Sequence, residues 1–289
     1  MTEGAVIAGI DARAYATRAH LNDDELILSM LPWATAYASP PVSGFKVGAV
    51  ALGRSGNYYA GGNLELPGLP LSGSVHAEQA VVANARLYGE RELLALATTA
   101  TPCGHCRQFL NELRGASGLR ILVRGSAAMT LSDLLPARFG PSDLGVEAAL
   151  LEPVSHGLRS IAGAGDTEGG ADALMQAALA AADGSYAPYT KTYAGAAVRT
   201  AAGRIASGGY LESAAFNPSL PALQAALVAL VLRRERPDAI LDAVLVEASG
   251  PASQRSAAAS AIEALAGIPL RYVRAEPAAP SEPGMGLGE

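Results

Sequence analysis

The sequence predicts an α/β layered fold that occurs twice in one chain. Strand-like and helix-like segments alternate along residues 21–154, and a similar series follows at 171–275. The chain has 289 residues, of which 50% are hydrophobic. This length and composition suit two domains of ordinary size, each with its own core.

The first half begins with a helix and continues with a hairpin. Residues 23–38 have helical apolar spacing, with Asn22 or Asp23 as the N-cap. "FKVGAVALG" (45–53) and "NYYAGGNLE" (57–65) are predicted strands, joined by the glycine-containing "RSG".

Three further segments complete this half. "SVHAEQAVVANARLYG" predicts a helix that opens on His76 and stops at Gly89. "LLALATTA" and "LRILVRG" are predicted strands on either side of "CGHCRQFLNELRG", a predicted helix that ends at Gly115. Alternation of this kind is typical of a layered α/β domain.

The second half repeats this order without its chemistry. "GNLE" at 62–65 matches "GYLE" at 209–212, which lies 147 positions later. At an offset of 145, however, His76 faces Pro221 and Glu78 faces Leu223, and the second half contains no cysteine. One fold was duplicated, and only the first copy kept its reactive residues.

These patterns predict five regions in the chain. They are an N-terminal extension (1–20), a catalytic domain (21–154), a Gly-rich linker (155–170), a degenerate second domain (171–275) and a disordered Pro/Gly-rich tail (276–289).

Composition excludes several classes of function. The formal net charge is -6, from 21 Lys+Arg and 27 Asp+Glu, and the arginines are scattered, so we expect no nucleic-acid partner. No stretch approaches the roughly 20 apolar residues of a membrane span, so we expect no membrane partner and a cytoplasmic location. Two cysteines cannot build a secreted disulfide framework. A small neutral substrate is the expected partner.

Both cysteines lie in "TPCGHCRQFLNEL", at the predicted start of a helix. The free N–H groups and positive dipole end there favour thiolate, which binds metal. His76, at the start of another helix, supplies a third ligand beside Cys103 and Cys106. A structural zinc site is closed by four protein ligands, whereas a catalytic site has three and leaves one position for water. We therefore predict one catalytic zinc per chain.

Glu78 follows the predicted ligand His76 by two residues. Its carboxylate can take a proton from the water molecule at such a site and return it to the substrate and leaving group. His-Ala-Glu at 76–78 and Pro-Cys-Gly-His-Cys at 102–106 match H-x-E followed by P-C-x-x-C, the known signature of zinc nucleobase deaminases.

The chain resembles the cytidine deaminases, specifically the two-domain homodimeric type with a degenerate second copy. "VHAEQ", "TPCGHCRQFLNEL" and "FNPSLP" carry the resemblance, which extends over most of residues 21–275. It implies a three-layer α/β/α fold, duplicated in one chain. It also implies zinc-dependent hydrolysis of cytidine and deoxycytidine to uridine and deoxyuridine in pyrimidine salvage, and a homodimer with composite active sites.

The resemblance also implies which residues contact the substrate. Phe45 would stack on the pyrimidine, and Asn63 and Glu65 would hold the ribose 3'-hydroxyl. Leu64, which lies between these two, is also expected to contact the substrate. The Ala77 amide and the Thr101 carbonyl would contact the base. Val42 departs from the family pattern, which usually has tyrosine there.

Two other functions stay open from the sequence. One is deamination of a related nucleotide or nucleoside analogue, although a nucleotide would require a basic cluster near the ribose pocket, and the sequence shows none. The other is a zinc-stabilised binding or regulatory protein without turnover, which the intact Glu78 disfavours.

Overall fold

A computed structural model describes residues 5–161 and 172–278, and these contain two mixed β-sheets with helices on both faces. The strands are β1 (Val6–Ile7), β2 (Gly48–Gly53), β3 (Tyr58–Gly62), β4 (Leu93–Thr98), β5 (Arg120–Val123), β6 (Met129–Thr130), β7 (Leu158–Ser160), β8 (Ala194–Thr200), β9 (Ile205–Gly209), β10 (Ile240–Ala248) and β11 (Arg271–Pro277). The helices are α1 (Gly9–Ala19), α2 (Asp23–Ser29), α3 (Leu31–Thr35), α4 (Ala77–Leu87), α5 (Gly104–Leu110), α6 (Leu131–Leu134), α7 (Ala173–Asp183), α8 (Ala222–Val231) and α9 (Arg255–Ala266). Within these ranges, no helix combines the length and the apolar character that crossing a membrane requires.

The two sheets have the same internal topology, which confirms the predicted duplication. The first contains the order β3-β2-β4-β5 and the second the order β9-β8-β10-β11. In each, an antiparallel hairpin pairs antiparallel with the third strand, and the third strand pairs parallel with the fourth. Strands β1 and β6 extend the first sheet at its edges, and β7 extends the second.

Glycines let helices approach both faces of the hairpin strands closely. A Cβ on Gly61 would lie 2.3 Å from the Val81 nitrogen of α4, and a Cβ on Gly62 would lie 2.4 Å from the Ala38 nitrogen, just after α3. Because successive strand residues point to opposite faces, α3 and α4 cover opposite sides of the sheet. The second sheet is enclosed in the same way by α7 and α8. The three-layer α/β/α prediction is confirmed.

The predicted first helix is two helices. Asn22 caps α2 by accepting hydrogen bonds from the Asp24 and Glu25 amides, as its sequence position indicates. The chain then breaks at Met30, because Pro32 has no N–H group to continue the helical ladder and its ring crowds the preceding turn. Helix α5 also ends earlier than predicted, at Leu110, because Glu112 and the residue after it form tighter i→i+3 hydrogen bonds.

Two predicted regions differ from the structure. Leu158–Ser160, placed in the linker, forms β7, and the strand β11 continues through Glu276 and Pro277, which were assigned to the tail. The two segments pair with each other, and Arg159 forms an ion pair with Glu276. Neither segment has the apolar alternation that signals a strand, because the pair forms an exposed edge. Residues 162–170 of the linker and 279–289 of the tail lie outside the described residues.

The two halves share one hydrophobic core and one buried polar anchor. Helices α4 and α8 pack against each other between the sheets. The Glu112 carboxylate, in the first half and 1% exposed, accepts hydrogen bonds from the hydroxyls of Tyr186 (3.1 Å), Tyr189 (2.6 Å) and Ser213 (3.3 Å) and from the Ala214 amide (2.8 Å). All four donors belong to the second half, so Glu112 ties the halves together.

Candidate active site

Two helix N-termini bring the predicted metal ligands together. His76 is the residue before α4, and its backbone N–H donates to the Gln79 side chain at 3.2 Å. Cys103 is the residue before α5, and Cys106 lies in the first turn of that helix. Because α4 and α5 pack against each other, the starts of both helices meet at one point.

The spacing of the three ligand atoms fits a single zinc ion. The distances are 3.7 Å between the Cys103 and Cys106 Sγ atoms, and 3.5 Å and 3.2 Å from these atoms to His76 Nδ1. Tetrahedral zinc, with bonds of about 2.3 Å to sulfur and about 2.0–2.1 Å to nitrogen, would separate two sulfurs by about 3.8 Å and sulfur from nitrogen by about 3.6 Å. Across the described parts of the chain, this is the one cluster of three potential ligands.

Burial shifts the pKa of two members of this cluster, His76 and Cys106. It lowers the pKa of His76, which favours the neutral imidazole that binds metal. It also raises the pKa of the Cys106 thiol well above its ordinary value, and the nearby Glu78 carboxylate adds to this shift. For Cys106, burial therefore opposes the effect that the helix start has on the pKa of the thiol. A zinc ion bound at these residues would deprotonate the coordinating thiols, because the positive charge of the metal favours the thiolate.

Glu78 lies in the first turn of α4 with only 4% of its surface exposed. Its side chain hydrogen-bonds the Cys106 thiol, and burial raises the pKa of its carboxyl. A carboxyl group held at the ligand cluster can exchange protons with a molecule bound there.

A cavity of about 250 Å³ opens in front of the cluster. Its walls include Ser43, Phe45, Val47, Asn63, Glu65, Ser74, Val75, His76, Ala77, Glu78, Ala100, Thr101 and Cys103. The structure thus gathers nearly all of the predicted site residues around one cavity. Cys106 and Leu64 are not part of the lining. Cys106 is buried behind it in the ligand cluster, and the Leu64 side chain is buried while its backbone pairs with Ser39 and Val75.

Asn63 and Glu65 hold the segment that carries Phe45. Asn63 accepts a hydrogen bond from the Val47 amide and donates to the Phe45 carbonyl, each at 2.9 Å. The Glu65 carboxylate accepts from the Val42 and Ser43 amides and from the Ser43 hydroxyl. The Ser43 hydrogen bond is the main cause of a lowered pKa at Glu65, which keeps this carboxylate ionised.

The second half also reaches the ligand helices, which the sequence did not indicate. Gln79 donates from its side-chain amide to the Pro218 carbonyl at 2.9 Å, and His105 Nε2 lies 3.2 Å from the Asn217 carbonyl oxygen. The His105 ring also packs edge-on against His76, with 5.3 Å between ring centres. "FNPSLP" was a visible motif, but its contacts are separated by more than 100 residues and follow no local pattern.

Comparison with known proteins matches both halves of the chain to family models with the same description. Family models described as "Cytidine and deoxycytidylate deaminase zinc-binding region" match residues 21–118 and 131–259. Proteins named cytidine deaminase from Yersinia pestis (strain Pestoides F) and Yersinia pestis bv. Antiqua (strain Angola) are each 48% identical over 227 residues, which cover 78% of this chain and 74% of the relative.

The solved structures include a cytidine deaminase from Mycobacterium tuberculosis. It is 37% identical, covers 41% of this chain and 98% of its own, and has a TM-score of 0.38. With two family models matched in tandem and relatives 48% identical over most of their length, this chain belongs to the cytidine and deoxycytidylate deaminase family.

Proposed function

We propose that this protein catalyses the zinc-dependent hydrolytic deamination of cytidine and deoxycytidine. Water and the nucleoside give uridine or deoxyuridine and ammonia. The observation that carries this proposal is the position of Glu78, buried against Cys106 at the edge of a three-ligand zinc cluster that faces a cavity of about 250 Å³.

His76, Cys103 and Cys106 would hold the metal, one ion per chain. Zinc held there supplies a Lewis acid that activates water for attack on the pyrimidine ring. Glu78 takes two protons in turn from the attacking water. It passes the first to the ring nitrogen, and it passes the second, released as the new C–O bond becomes the carbonyl, to the amino group, whose C–N bond then breaks to give ammonia. Its burial keeps bulk water from competing for these protons.

The cavity walls supply contacts for a nucleoside. Phe45 presents an aromatic face to the flat base, and Asn63 and Glu65 offer an amide and a carboxylate to the ribose 3'-hydroxyl. Ala77 is the first residue of α4, so its N–H has no partner within the helix and is available to the base, as is the Thr101 carbonyl.

The charge of the cavity favours a nucleoside over a nucleotide. No lysine or arginine is among its lining residues, so nothing there would pair with a phosphate. Glu65, which the substrate sugar would meet, would repel one.

We also propose a homodimer with composite active sites and two zinc ions. Val42, Phe45 and Phe216 are all more than half exposed, which is unusual for large apolar side chains around a binding site. A second copy would cover them and help to exclude water. In the same proposal, residues 21–154 form the catalytic domain and 171–275 the degenerate one, and the protein works in cytoplasmic pyrimidine salvage.

The test is ammonia release from cytidine, deoxycytidine and CMP, together with zinc analysis of the same sample. We expect one zinc per chain and turnover of both nucleosides, with CMP much slower. Zinc without ammonia release would favour a non-catalytic binding protein, and CMP as the best substrate would favour a nucleotide deaminase.

A further inference from the structure

The second half contains a cavity at the place that matches the zinc cavity of the first half. Thr192 takes the place of Phe45 and Tyr210 that of Asn63, each 147 positions later. Pro221 precedes α8 as His76 precedes α4. All three second-half residues line this cavity, which has a volume of about 310 Å³.

The backbone around both cavities is built in the same way. Leu64 pairs with Val75 in the first half, and Leu211 pairs with Leu220 in the second. The Glu212 carboxylate accepts from the Tyr189 and Thr190 amides and the Thr190 hydroxyl, which repeats the contacts of Glu65. The second cavity is thus a preserved binding frame without zinc ligands.

The lining of this second cavity combines apolar surface with several uncharged polar side chains and carries no acidic side chain, lysine or arginine. It consists of Ser72, Gly73, Ser74, Gln79, His105, Thr192, Tyr210, Phe216, Asn217, Ser219, Leu220, Pro221, Gln224, Ala252, Ser253 and Gln254. Four of these are amides and two are aromatic rings. Amides recognise ligands that both donate and accept hydrogen bonds, and aromatic rings stack on flat ones.

Two buried polar atoms in this lining have no hydrogen-bond partner. They are the hydroxyl oxygen of Thr192 and the side-chain nitrogen Nε2 of Gln254. Only 3% of the surface of Thr192 is exposed. Only four such atoms occur among the described residues. Because buried polar groups are normally paired, each of these residues has an unmet hydrogen bond, which a rotation of its side chain toward the cavity would offer to a ligand.

We propose that this second cavity binds an uncharged nucleoside without converting it. Its volume suits a molecule of that size, its amides and hydroxyls match the base edges and sugar, and its lack of ionised side chains disfavours nucleotides. The cavity shares Ser74 with the zinc cavity and includes Gln79 of α4 and His105 of α5, both of which contact His76. Nucleoside binding here does not depend on the proposed deamination, although Phe216 lines this cavity and is also assigned to the composite active site.

The experiment counts uridine sites by equilibrium dialysis on the full-length, zinc-loaded protein. Ala252→Trp fills the second cavity from an exposed position, and Ala257→Trp, on an exposed residue of α9 outside the lining, is the matched control. The proposal predicts one fewer uridine site per chain in Ala252→Trp than in Ala257→Trp. Equal site counts in the two variants would overturn it.

A second variant tests the unpaired hydroxyl without filling the cavity. Thr192→Val replaces it with a methyl group of similar size, so the melting temperature of the unliganded protein should stay level or rise. Uridine affinity at the second site should fall about fivefold, the effect of one hydrogen bond. Unchanged affinity at that site would contradict the assignment of Thr192. The proposed deamination can fail separately, in which case cytidine releases no ammonia and uridine does not bind in the zinc cavity. The difference in the number of uridine sites between Ala252→Trp and Ala257→Trp would then still measure binding in the second cavity.

Discussion

The hydroxyl of Tyr189 should be a main anchor between the two halves, and Tyr189→Phe removes it. In the structure it donates a 2.6 Å hydrogen bond to the buried Glu112 carboxyl group. Removing a hydrogen-bond partner from a buried polar group costs about 1–3 kcal/mol. The same carboxylate oxygen keeps only the longer 3.1 Å bond from Tyr186. We therefore expect Tyr189→Phe to lower the free energy of unfolding by about 2 kcal/mol.

Differential scanning calorimetry on the zinc-loaded protein measures this loss. For chains of roughly this size, 1 kcal/mol corresponds to about 2–4 °C, so the melting temperature should fall by about 4–8 °C. Tyr15→Phe is the matched control, because Tyr15 is 48% exposed on α1 and away from the domain boundary. A shift for Tyr189→Phe no larger than that for Tyr15→Phe would refute the anchor.

Three further predictions address the ligands, the loop of the second half and the pH dependence of the anchor. Cys103→Ser should lose zinc and cytidine turnover together, and metal analysis showing full zinc with normal activity would contradict the ligand assignment. Phe216→Ala should raise the KM for cytidine at unchanged zinc content, whereas an unchanged KM would argue against a composite site. Burial raises the pKa of the Glu112 carboxyl, so its contribution to stability is fully present below the unfolded pKa of about 4.3 and is lost as pH rises through the folded pKa. The stability advantage of wild type over Glu112→Gln should therefore shrink between pH 4 and pH 7 in thermal melts, and a constant advantage would be inconsistent with this pKa.

Local signals predicted most of the first half. The capping box at Asn22, the hairpin around "RSG" and the helix start at His76 each depend on residues within a few positions of one another. In each of these patterns the side chains determine the conformation of the backbone within a few residues, so the pattern can be recognised in a short stretch of sequence. The fold class and the grouping of the three predicted zinc ligands followed from these signals and from the motif.

What the sequence did not predict depends on contacts between distant residues. The Glu112–Tyr189 hydrogen bond spans 77 positions and the Gln79–Pro218 bond spans 139. Neither glutamate nor glutamine signals a buried partner, since both residue types are mostly exposed in proteins. Strand β7 was missed for a related reason, because its pairing with β11 and not its own composition makes it a strand.

The most direct test of the central claim compares wild type with Glu78→Gln for zinc content and for ammonia release from cytidine. The amide preserves the size of the side chain but cannot carry protons, and general acid–base groups contribute about 10²–10⁴-fold. We predict one zinc per chain in both proteins. Turnover in the variant should fall by at least about 10²-fold. Turnover within a few-fold of wild type at equal zinc content would contradict the account.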